Sequence, residues 1–152
     1  MAGCVSTAGL RKDLLIAMDT MPSALDMAFR TALLLTGDTR TAEVAVTRAI
    51  DACEALSPGG ILIEAVRSAV RRRTKLSNGP YEVDGLPVEL QRLFMLQPLL
   101  RHCFVLRMLV GLFPEVCAEL LGISVAEFED ALYGALTALA LPHSPKTQPI
   151  RY

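Results

Sequence analysis

Residues 114–132 read PEVCAELLGISVAEFEDAL, and the middle of this run decides the fold. Pro114 suits the first position of a short helix, where its missing N–H costs nothing. Gly122 stops that helix, because glycine accepts a positive φ without steric penalty. Ser124 then caps a second helix, and Glu127 three residues on completes a capping box. Ala118 is small enough for the two helices to cross closely, and Ile123 anchors the turn inward. Phe128 and Leu132 face back onto the first helix. Short helix, glycine, serine cap and long helix together predict a helix-turn-helix over residues 114–141.

Working outward, the same logic yields helices throughout. Leu100 to Leu109 forms one apolar helical stretch and residues 88–96 another, with Pro98 between them as a kink or a separator. Gly111 breaks the pattern before Pro114. Toward the N-terminus, Ile61, Leu62, Ala65, Val66, Ala69 and Val70 mark the buried side of a helix. Ser57-Pro58-Gly59-Gly60 stops the helix before it, whose stripe is Ala42, Val46, Ala49, Ile50 and Cys53. Asp38 or Thr39 opens that helix. Gly37 closes an earlier one, which starts at a Ser23 cap after the break at residues 20–23. A short helix is expected over residues 11–18.

Residues 77–86 hold Ser77, Asn78, Gly79, Pro80, Asp84 and Gly85 and read as a linker. The expected fold is all-α: two small helical domains, residues 10–76 and 87–141, joined by that linker. The second is the helix-turn-helix domain, and the proline-containing tail from Pro142 is irregular.

Apolar residues make up 52% of the chain, which is enough for a packed core and leaves apolar surface to face a partner. The formal charge is −1, so bulk charge does not attract nucleic acid. The distribution is uneven. Residues 61–75 carry Arg67, Arg71, Arg72, Arg73 and Lys75 against the single acid Glu64. Attraction for a phosphate backbone is therefore local. Cations at a helix C-terminus also suit the macrodipole, so the run has two readings. The last helix is the opposite case. Its exposed opening positions are Ser124, Ala126, Glu127, Glu129 and Asp130, with no Lys or Arg from Val125 to Leu141.

Cys4, Cys53, Cys103 and Cys117 form no CxxC, and His102 and His143 complete no zinc pattern. No metal or cofactor is expected, and the thiols read as reduced. No Ser–His–Asp, His–Cys or paired-carboxylate arrangement is visible, nor a Gly-rich phosphate loop, so catalytic residues are not expected. The apolar run after Asp13 is short and broken by Asp19, and no stretch reaches ~18 apolar residues, which predicts no membrane span and a cytoplasmic protein.

At this point the residues suggest a family. Leu86-Pro87-Val88-Glu89-Leu90, Phe104-Val105-Leu106-Arg107, Gly111-Leu112 and the run from Ala118 to Ser124 resemble the −35-binding domain of bacterial sigma factors of the extracytoplasmic-function type. The run from Ala32 to Asp38, with Ala42-Glu43, resembles the start of the family's core-polymerase-binding domain. Residues 61–73 resemble its −10-facing helix, with Val66-Arg67-Ser68 at the centre. The resemblance covers residues 25–141.

It implies a transcription initiation factor that binds core RNA polymerase through Glu43, Thr47 and Arg48. The basic run would then approach the −10 region of promoter DNA, and residues 124–130 the −35 region. The chain departs from the family on each surface. An acid and a Gln usually follow Glu43, but Val44 and Ala45 stand there. Strand melting uses aromatic faces, yet Phe29 is the only aromatic residue before Tyr81. The recognition helix is acidic. The alternative is a degenerate sigma-like protein that acts through protein contacts without direct promoter reading, its apolar surface covered by an anti-sigma or other protein partner or by self-association.

Overall fold

All regular structure among the described residues is helical. The computed structural model describes residues 21–54, 57–72 and 85–141. The expected helix at 11–18, the tail from Pro142, and Arg73, Lys75 and linker positions 77–84 lie outside these residues.

Helix α1 (Met21–Thr36) starts earlier than Ser23. Pro22 is no obstacle there, since a first-turn residue has no intrahelical N–H bond to lose. Gly37, at φ 71°, ends the helix and donates to the Leu33 carbonyl at 2.7 Å. Helix α2 (Thr39–Ala52) is capped by Asp38, whose Oδ2 accepts from the Thr41 N–H at 2.7 Å and from the Thr41 hydroxyl. These bonds hold the Asp38 carboxyl below its usual range, the Thr41 hydroxyl contributing most.

Helix α3 (Pro58–Arg72) corrects a second boundary. Pro58, Gly59 and Gly60 form its first turn; they open a helix as well as ending the one before. Ser57 accepts from the Gly60 N–H at 3.2 Å, and a Cβ on Gly60 would lie 2.6 Å from the Ser57 hydroxyl. The glycine makes room for the cap.

In the C-terminal half, a short helix α4 (Val88–Gln91) tightens into a 3₁₀ turn (Arg92–Met95). Pro98 separates two elements: it opens helix α5 (Pro98–Phe104), which widens into a π-helical stretch (Val105–Val110). Gly111, at φ 82°, closes that stretch. Helix α6 (Pro114–Leu121) and helix α7 (Val125–Ala140) follow.

The first three helices pack through small residues. Ala24, Ala28 and Ala32 on α1, Ala42, Ala45 and Ala49 on α2, and Ala65 and Ala69 on α3 are buried. The buried line of α2 thus runs through Ala45, while Ile50, expected inside, is exposed and Val46 only half-buried. The second half packs around Phe128, fully buried, with Leu106, Leu112, Cys117, Ala131 and Ala135. Leu136 and Val125, on the same helix as Phe128, are exposed.

Buried residues of both halves belong to one hydrophobic cluster. A polar joint accompanies it. Arg101 (2% exposed) and His102 (0% exposed) reach back to the end of α1. Arg101 Nη2 donates to the Leu35 carbonyl at 3.2 Å, and His102 Nε2 bonds the same oxygen at 2.8 Å. A carbonyl only accepts, so this nitrogen carries the hydrogen. Arg101 also lies over the Phe94 ring, 4.8 Å from its centroid.

Candidate binding surfaces

The basic end of α3 is the first surface. Arg67 is half-buried and donates to Glu64 at 2.8 Å, so one of the five cations of the run is balanced inside its own helix. Arg71 is exposed. The helix ends at Arg72, which places Arg71 in its last turn, where a cation also suits the macrodipole.

The outward face of α2 is the second. Glu43, Thr47 and Arg48 are all exposed, and Val44 joins them. Spacing of three and four residues puts them on one side of the helix. The Thr47 hydroxyl donates back to the Glu43 carbonyl at 2.9 Å, so its proton is already engaged within the helix.

The third surface is the α6–α7 corner. Gly122 sits at φ 69° and ψ 34°. Its N–H donates to the Glu119 carbonyl at 3.2 Å, and the Ile123 N–H to the Ala118 carbonyl at 3.1 Å. This pair is the Schellman arrangement that a left-handed glycine permits. Ser124 and Glu127 form the reciprocal cap: the Glu127 N–H donates to Ser124 Oγ at 3.1 Å, and the Ser124 N–H to Glu127 Oε2 at 2.8 Å. The bond from the Ser124 N–H is the main reason the Glu127 carboxyl is held below its usual range. Glu127 therefore serves the helix end. Ala126, Glu129 and Asp130 are exposed beside it.

The arginines of this half each bond a backbone carbonyl, and Arg101 is buried. Residues 85–141 contain three, Arg92, Arg101 and Arg107. Arg92 Nη2 donates to the carbonyls of Leu139 at 3.0 Å and Leu141 at 3.3 Å, closing the end of α7, which has no basic residue in its own last turn. Arg101 holds Leu35, and Arg107 Nη1 meets the Leu112 carbonyl at 3.4 Å. Against them stand the exposed acids Glu89, Glu115, Glu119, Glu127, Glu129 and Asp130. A phosphate backbone approaching this half meets carboxylates.

Sequence reading missed an apolar strip on the outer side of α7. Val125 (36% exposed), Leu136 (39%) and Tyr133 (74%) flank Glu129 there. Cys103 and Cys117 are buried, and burial pushes the Cys117 thiol up to about 12. Among the described residues, no helix is long and apolar enough to cross a membrane. No family model, curated protein or solved structure matches the chain.

Proposed function

We propose that this chain is a sigma-factor-like, cytoplasmic transcription protein whose helix-turn-helix unit works through protein contacts rather than promoter reading. One observation carries this reading. Between residues 85 and 141 every arginine is bonded to a backbone carbonyl, while the acids are exposed. DNA readers of this architecture place basic and polar side chains at the start of the second helix. Here that position holds Glu127, Glu129 and Asp130, next to the apolar strip of Val125, Tyr133 and Leu136. An apolar strip edged with carboxylates suits a protein partner with apolar and basic side chains. The α2 face with Glu43, Thr47 and Arg48 is the corresponding candidate for core RNA polymerase.

A second reading, promoter binding as an initiation factor, draws its support from the basic end of α3, where Arg71 is exposed. Binding to purified core RNA polymerase, with and without a promoter duplex, separates the two. Protein-directed action predicts a complex with polymerase that added duplex does not tighten. Initiation predicts specific duplex affinity that appears with polymerase and falls steeply with salt. Absence of any polymerase complex rejects the polymerase assignment in both.

A further inference from the structure

The exposed residues Val125, Glu129, Tyr133 and Leu136 follow one another along α7 at three- and four-residue spacing. They share one side of the helix over about 16 Å at its ordinary rise. Glu127 and Asp130 are exposed too, and α7 holds no cation. An occupant that covers this strip has to be both apolar and basic.

The chain supplies such a segment where α7 ends. Leu141 is extended backbone (φ −67°, ψ 128°), Arg92 holds its carbonyl, and Pro142 follows, so the helix cannot continue. Residues 142–152 read PHSPKTQPIRY, with Lys146, Arg151 and no acid. Reach agrees with charge. Val125 lies about 24 Å from Leu141 along α7, and an extended chain of this length spans up to ~36 Å. Run back at about 3.3 Å per residue, Lys146 comes level with Asp130 and Ile150 reaches the Val125 end. Other occupants fit less well. Residues 1–20 balance Arg11 and Lys12 with Asp13 and Asp19 and join α1 in the other half, and the α7 of a second copy brings the same acids.

We propose that residues 142–152 fold back on the outer strip of α7, with Lys146 against Glu129 and Asp130 and Ile150 at the Val125 end. Exposed ion pairs are weak alone, but a tether this short holds the two sides at an effective concentration in the millimolar range, so a weak contact suffices. The proposal rests on the protein-contact reading of that strip and adds its regulation: an outside partner must displace the tail.

Zero-length carbodiimide coupling of the full chain is the test, because a carboxylate and an amine in contact lose water and form an amide. In the monomer fraction, mapped by mass spectrometry, Lys146 should be joined to Glu127, Glu129 or Asp130 in preference to every other acid. Salt at about 1 M, where the screening length is about 3 Å, should remove the product. Ile150→Asp should remove it as well, although Lys146 and the acids of α7 stay in place; an unchanged helical circular dichroism spectrum shows that this variant remains folded. Coupling confined to the dimer fraction, Lys146 joined equally to the exposed Glu43 or Glu54, no Lys146 product, or Ile150→Asp coupling as well as the native chain overturns the proposal. Polymerase takes no part in this experiment, so failure of the tail contact and failure of the polymerase complex are read separately.

Discussion

Helices α1 to α3 meet across alanines, whereas α5 to α7 meet around Phe128 and are finished by arginines that reach for carbonyls. The first arrangement brings backbones close and leaves long side chains, such as Arg40, Glu43 and Arg48, on the outside. The second draws its cations inward. The same formal charges therefore have opposite consequences. An arginine on α2 or at the end of α3 contributes to the surface, while an arginine in the C-terminal half contributes to the fold. A composition count cannot separate the two roles, and the difference decides which half has cations to offer DNA.

Substitutions in each half test this contrast. The largest effect is expected from Phe128→Ala, which empties the middle of the C-terminal core and should cost about 3–5 kcal/mol in denaturant unfolding. Arg101→Ala comes next. It removes a buried donor from the Leu35 carbonyl and a cation from the Phe94 ring, at about 2–3 kcal/mol. In the first half the sensitive direction is enlargement. Ala32→Leu should destabilise by about 1–3 kcal/mol, because a fully buried alanine leaves no space for a larger side chain.

The smallest effect is that of Asp38→Ala, about 1 kcal/mol for a lost N-cap. It also has a pH signature. The Asp38 carboxyl is held below the usual carboxylate range, chiefly by the Thr41 hydroxyl. A depressed carboxylate stabilises the fold above the unfolded value and loses that contribution as pH falls through the folded one. The gap between Asp38→Ala and the native chain should be constant near neutrality and close on acidification below about pH 4. A gap that widens there contradicts the assignment of Asp38 as the cap.

The contrast also explains what the sequence could and could not show. Gly37, Gly122, Asp38 and Ser124 act within a few residues of themselves, so their roles are readable locally. Pro98 and Pro114 are likewise explained by the missing N–H. Alanine is different: it favours helix on either face, so periodicity placed Val46 and Ile50 inside where Ala45 is buried instead. Arg101 and His102 were beyond local reading altogether. Two polar residues in an apolar helix bond the Leu35 carbonyl, which lies 66 and 67 positions earlier in the chain. The acidic opening of α7 was legible, but the inward use of every nearby arginine was not.

Hydrogen exchange of the full chain with a promoter-length duplex at low salt, and separately with core RNA polymerase, tests the central claim most directly. The account predicts that the duplex leaves residues 124–136 unprotected and that any protection it gives falls toward the end of α3, whereas core RNA polymerase slows exchange along α2 around Glu43, Thr47 and Arg48. Protection of residues 124–130 by the duplex, stronger than at Arg67 and Arg71, would contradict it.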